Sequence, residues 1–229
     1  MTTGLIVALD DPDLPKAEAL AQQLSGKVAA LKVGLTLIHG YGPEAVLEIG
    51  QHAPVFLDAK LHDIPHQIGG AVSEIARQKV WMFTIHSSGG PTMISAAAAA
   101  AAPFPDRPLI AAVTVLTSLS SDDLSKIGQG SDTQAQVLRL ATLALDAGAT
   151  AIVCSPQEVA MIRKELGPDP ILVVPGIRLV GAREDDQARV MTPAMAAEAG
   201  ASYVVVGRPV TGSPDPSGTA DLIARELAG

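Results

Sequence analysis

Val55-Phe56-Leu57-Asp58-Ala59-Lys60-Leu61 is apolar at both alternating positions until two charges enter near its carboxyl end. A run without polar alternation reads as a strand covered on both faces, the signature of a parallel sheet. Runs of the same kind recur along the chain at Leu5–Asp10, Ala29–Gly34, Trp81–Ser88, Leu109–Thr117, Ala151–Pro156, Ile171–Ile177 and Tyr203–Val210. Helical spacing fills the intervals. Leu14, Ala17, Leu20 and Leu24 share one face, as do Ile68, Val72, Ile75 and Ala76, and then Val137, Leu140, Ala141, Ala144 and Leu145. Ser155-Pro156-Gln157-Glu158 has the form of a capping box, and Thr192-Pro193 that of an N-cap followed by proline. Eight strands alternating with helices predict an α/β chain folded as a single (β/α)8 TIM barrel, 1–229 forming one catalytic domain. An open doubly wound sheet is the competing topology. No Gly-x-Gly-x-x-Gly turn follows the first run, which weakens its dinucleotide-binding form.

In a barrel the chemistry lies at the carboxyl ends of the strands. The polar residues expected there are Asp10, Lys32, Asp58, Lys60, His86, Ser87, Thr114, Thr117, Ser155, Arg178 and Arg208. Any one of them alone reads as a solvated strand end. Lys32, Asp58 and Lys60 differ, since all three interrupt apolar strands. Asp58 and Lys60 are two apart, so regular alternation would point both the same way, toward Lys32 on the neighbouring strand. Buried charge is costly unless partnered, so these residues suggest a mutually neutralising array, with a structural ion-pair network as the plainer alternative. Gly207-Arg208, directly ending the last strand, suits a phosphate: glycine admits close backbone approach and arginine forks onto the oxygens.

Asp58-Ala59-Lys60-Leu61-His62-Asp63 carries a D-x-K-x-x-D pattern that resembles the orotidine 5′-monophosphate decarboxylase suprafamily, and the run Lys60–Pro65 resembles its orotidine 5′-monophosphate decarboxylase branch. Leu9-Asp10, Leu31-Lys32-Val33-Gly34, Val113–Ser118, Val174-Pro175-Gly176-Ile177-Arg178 and Val206–Val210 follow in order, so the resemblance spans essentially the whole chain. It implies a lyase of pyrimidine (UMP) biosynthesis that converts orotidine 5′-monophosphate to UMP without metal or other cofactor. It implies a catalytic set of Lys60, Asp58, Asp63 and Lys32, with Lys60 stabilising and protonating the C6 carbanion. Asp63 is implied to reach across a homodimer interface into the neighbouring site. Substrate contacts are implied at Asp10, Lys32, Ile64, Gln67, Thr117, Pro175, Arg178, Gln187, Gly207 and Arg208. Relatives typically read D-I-P-N-T where this chain has Asp63-Ile64-Pro65-His66-Gln67, so the usual ribose-holding Thr is replaced by the longer Gln67. Sibling enzymes, 3-keto-gulonate-6-phosphate decarboxylase and hexulose-phosphate synthase, share D-x-K-x-x-D but use Mg²⁺ and carry an acid where this chain has Lys32. A cation there opposes metal binding. A non-catalytic phosphate-binding barrel would need neither Asp58 nor Lys60.

Composition agrees with a small-molecule enzyme. With 16 Lys+Arg against 24 Asp+Glu the net charge is −8, which argues against a nucleic-acid partner. A mean hydropathy of +0.30 supplies a sizeable core. Cys154 is the single cysteine, so no intrachain disulfide forms, and a reducing, cytoplasmic setting is expected. No signal peptide or membrane span is read: the alanines Ala96–Ala102 fall far short of the about 20 apolar residues a span requires and instead favour a packed helix. Lone His86 is expected to pack at the barrel mouth, and Cys154 to act as a small buried hydrophobe.

Overall fold

The computed structural model describes residues 3–178 and 191–229. Its strands are β1 (Gly4–Leu9), β2 (Ala30–Val33), β3 (Val55–Leu61), β4 (Met82–His86), β5 (Leu109–Val113), β6 (Ala151–Val153), β7 (Ile171–Pro175) and β8 (Tyr203–Val206). They pair in parallel in chain order, and β8 returns to β1 from Gly4↔Tyr203 to Val7↔Val206, closing the barrel. Closure decides between the two topologies that alternation alone left open.

The predicted apolar runs outlast several strands. Val115, Ile177 and Val210 lie beyond the ends of β5, β7 and β8, yet each is buried. Apolar character thus continues after backbone pairing stops, which is why the runs overshoot. The helical faces agree closely. Helix Pro65–Arg77 buries Ile68, Val72, Ile75 and Ala76, and helix Leu14–Leu24 buries Leu14, Ala17, Ala21 and Leu24. All of the alanine run but Ala102, the C-cap, lies in helix Pro91–Ala101, which turns Met93, Ile94, Ala97 and Ala101 inward. Thr192 caps helix Pro193–Glu198 through the Met195 N–H, and the Glu158 carboxylate accepts the Ser155 N–H at 2.7 Å.

Two apolar layers result. The larger lies between the sheet and the helices. The smaller fills the barrel itself, where Ile6, Ala8, Ala30, Phe56, Met82, Ala111, Ala151, Val173 and Val205 meet. Phe56 and Met82 stand side by side, flanked by Ala30 and by Ala111 and Ala151, so the two large side chains fill the space that the alanines leave. At the amino ends of the strands, Trp81 and Tyr203 pack against this inner layer, edge to face at 5.1 Å. Close beneath β7 and β8, the Arg163 guanidinium donates to the carbonyls of Gly200 (2.9 Å) and Pro170 (2.7 Å) and to the Ser202 hydroxyl.

Candidate active site

Two residues beyond the inner apolar layer, period-two alternation brings the next ring of side chains to the barrel mouth. Asp10 follows Ala8, Lys32 follows Ala30, Asp58 follows Phe56 and Thr84 follows Met82. On the other side Val113, Val153, Pro175 and Gly207 follow Ala111, Ala151, Val173 and Val205. A cavity of about 200 Å³ opens here, lined by Lys32, Asp58, Lys60 and Thr84 on one side and by Val113, Val153, Cys154 and Pro175 on the other.

The charges alternate along one chain of contacts. The Lys32 ammonium lies 3.0 Å from Asp10 Oδ1 and 3.6 Å from Asp58 Oδ2. Lys60 Nζ donates to both Asp58 oxygens at 2.8 Å. The Lys32 and Asp58 side chains are only 12% and 16% exposed, so each charge depends on its neighbours rather than on water. Burial pulls the Asp58 carboxyl upward. Lys32, the Lys60 hydrogen bond and charge, and the Thr84 hydroxyl outweigh that pull and hold it below the ordinary aspartate value. Gly34 leaves room for this arrangement: a Cβ there would stand 3.0 Å from Lys32 Nζ and 3.2 Å from Asp10 Oδ1.

Simple alternation does not account for Lys60. The β3–β4 register runs Leu57↔Phe83 and then Leu61↔Ile85, so β3 holds two more residues than β4 over this interval. Lys60 takes up the bulge with φ +48°, in the left-handed region that a non-glycine residue adopts at a cost of about 1–2 kcal/mol. Asp58 and Lys60 do converge on one cavity, but through a bulge rather than a regular pleat. Thr84, buried opposite the bulge, accepts the Lys60 N–H at 2.8 Å and donates to Asp58 Oδ1 at 2.9 Å. Sequence reading passed over Thr84 and Gly34. The available signal was the lone hydroxyl in an apolar strand, two residues beyond inward-facing Met82.

A family model described as "Orotidine 5'-phosphate decarboxylase / HUMPS family" matches residues 3–223. The chain belongs to this family. The orotidine 5'-phosphate decarboxylase of Thermobifida fusca (strain YX) is 46% identical over 229 residues, covering 99% of this chain and 97% of that protein. That of Gluconobacter oxydans (strain 621H) is 45% identical over 230 residues, with 99% and 98% covered. The crystal structure of orotidine 5'-phosphate decarboxylase from Lactobacillus acidophilus superposes with a TM-score of 0.87 at 33% identity and full coverage of both chains. Membership in the orotidine 5'-phosphate decarboxylase / HUMPS family, with relatives so named over their whole length, makes the chain an enzyme, a carboxy-lyase.

Of the remaining residues expected from the family resemblance, some of the described ones line the mouth and others do not. Thr117 and Pro175 line both the central cavity and a second one that also includes Gly176, Arg178, Ser155 and Glu158. Gly207 approaches Asp10 and Ala8: a Cβ added there would lie 3.7 Å from Asp10 Oδ2. Arg208 is exposed at the start of the short helix Arg208–Thr211. Asp63 is exposed and accepts its own neighbour's N–H, that of Ile64, at 2.6 Å. Ile64 is 61% exposed, and Gln67 is exposed on the following helix. Asp63, Ile64 and Gln67 do not line the central cavity. Gln187 lies outside the described residues.

His86 ends β4 with its ring 5.3 Å from that of His62, as part of the packed mouth. Burial, then His62 and Lys60, lower its pKa against an opposing pull from Asp58, which favours neutral imidazole. Cys154 is 1% exposed, and burial pushes its thiol far up, so it behaves as a small apolar group. Among the described residues, no group of three or more His, Cys, Asp or Glu is placed to hold a metal ion, and no helix is long and apolar enough to cross a membrane.

Proposed function

We propose that this chain decarboxylates orotidine 5′-monophosphate to UMP in pyrimidine biosynthesis, with Lys60 as the catalytic acid and without a metal ion. One observation carries the reading: the unbroken Asp10–Lys32–Asp58–Lys60 alternation in a half-apolar cavity. Breaking the bond from C6 to CO₂ leaves an electron pair on an sp² carbon that no adjacent carbonyl can delocalise. An ammonium beside that carbon stabilises the pair as it forms and then transfers a proton to C6. Lys60 becomes neutral and regains its proton from solvent. Fixed charges in a site of low water content give such stabilisation its largest effect. Asp58 aims the ammonium and, placed near the substrate carboxylate, disfavours the carboxylate more than the product.

The metal-free reading is supported by the same contacts, since both Asp58 oxygens already face ammonium groups that compete with any cation. Asp10 and Lys32 are assigned to the ribose hydroxyls, Thr117 to the pyrimidine edge, and Pro175, Arg178, Gln187, Gly207 and Arg208 to the phosphate side. Phosphate binding remote from C6 then drives closure around the base and raises kcat as well as affinity. Asp63, Ile64 and Gln67 are assigned to a homodimer interface through which Asp63 completes the neighbouring site. The resemblance of Asp58–Asp63 to the family's D-x-K-x-x-D pattern supports this, and the exposure of all three leaves them open to a partner. The whole chain, 1–229, then acts as one catalytic barrel in the cytoplasm.

The deciding experiment follows loss of orotidine 5′-monophosphate absorbance in excess EDTA and identifies UMP as product. Turnover in chelator supports the reading. No loss of absorbance with or without Mg²⁺ overturns it, and Mg²⁺-dependent turnover of a sugar phosphate then separates the sibling chemistry from a binding barrel. Mixing inactive Lys60→Ala and Asp63→Ala proteins as exchanging dimers should restore partial activity. No recovery after verified exchange would remove Asp63 from the shared site.

A further inference from the structure

Thr84 is the one inward-facing hydroxyl in the ring of charges, and both of its hydrogen-bonding roles are committed to catalytic partners. Its oxygen accepts the backbone N–H of Lys60 at 2.8 Å, and its single proton goes to Asp58 Oδ1 at 2.9 Å. Lys60 Nζ closes the circuit onto the same carboxylate at 2.8 Å. The side chain is 1% exposed, so water does not compete for either bond. The backbone bond has a specific origin. Across the bulge the ladder resumes only at Leu61↔Ile85, and the Lys60 N–H meets the Thr84 hydroxyl instead of a strand carbonyl. That bond holds a lysine at φ +48°, a conformation that persists only where surrounding contacts fix it.

We propose that Thr84 is a positioning residue of the decarboxylation, one hydroxyl that locks both the Lys60 backbone and the Asp58 carboxylate so that the ammonium stays aimed at the reacting carbon. The inference rests on the function proposed above. Valine keeps the shape of threonine but loses both bonds, and serine keeps both bonds but loses the methyl. Misdirection of a catalytic group by a fraction of an ångström lowers turnover more than ground-state binding.

Thr84→Val is therefore expected to lower kcat by about 30-fold or more with KM within about threefold, whereas Thr84→Ser stays within about threefold of the parent in both. In the ligand-free protein, amide exchange at Lys60 should accelerate by about tenfold or more in Thr84→Val and stay near the parent rate in Thr84→Ser. Should the valine protein not fold, Thr84→Ala is compared with Thr84→Ser by the same two measurements. A kcat within twofold of the parent in Thr84→Val, a serine variant no better than the valine one, or unchanged exchange at Lys60 would overturn the assignment. An inactive parent overturns the decarboxylase reading instead, and the exchange rates still decide whether Thr84 holds Lys60.

Discussion

On the β1–β4 side of the mouth, Asp58 stands between two ammonium groups that hold its carboxyl below the ordinary value despite burial. On the β5–β8 side, Glu158 is also withdrawn from water at 8% exposure, but burial pushes its carboxyl up, against hydrogen bonds from the Ser155 backbone and side chain. The difference is one of partners rather than depth. One half concentrates charge that stabilises itself, and the other presents Val113, Val153 and Pro175, an apolar wall that strengthens whatever field the first half creates.

The largest test of that division removes its centre. Lys60→Ala is expected to reduce kcat by at least about 10³-fold while product still binds, because the interaction proposed for Lys60 is made chiefly in the transition state. Steady-state kinetics with orotidine 5′-monophosphate and titration with UMP measure both. Next comes a charge moved to the wrong half. Val113→Asp places a carboxylate in a wall with no ammonium beside it and should cost about 3 kcal/mol or more of folding stability in urea. A smaller effect is expected at the rim. If Arg208 holds the phosphate as proposed, Arg208→Ala removes charge-assisted bonds worth about 1.5–3 kcal/mol, so kcat/KM should fall about 10- to 100-fold with little change in stability.

The finest test is the pH dependence of stability. Asp58 titrates below its unfolded-state value, so its contribution is fully present above the ordinary value of 3.8 and is lost as acid passes through the lowered folded value. Glu158 has the opposite sign. Its contribution is present below its ordinary value of 4.5 and declines as pH rises through the raised folded value. Urea unfolding across this range should show Asp58→Asn losing part of the acid-side slope and Glu158→Gln losing the decline above pH 4.5. Parallel curves for both variants would erase the distinction between the halves.

The strands were legible because a barrel strand has no solvent face: Val, Ile and Leu crowd both alternating positions, and the eye needs no period to find them. The helices were legible for the opposite reason, since one face of each is wet. The charged cluster could be read because Lys32, Asp58 and Lys60 have no business in such strands unless partnered. Thr84 escaped because threonine is an ordinary strand residue, and its hydroxyl acquires meaning only opposite the β3 bulge. That bulge was itself hidden, because Asp58 and Lys60 have the spacing of a regular pleat. Gly34 escaped because its role depends on the Lys32–Asp10 approach, a contact between strands.

Trp81 and Tyr203, leaning edge to face beneath Phe56 and Met82, make the barrel a blind well. Nothing the size of a nucleotide enters from below, so in the proposed reaction a gas molecule released beside Lys60 leaves by the route its parent ring came in. Carbon dioxide must therefore slip past the remaining nucleotide or wait for it to go. Trimming either ring would leave that route unchanged, because Ile6, Phe56 and Met82 still plug the barrel above it.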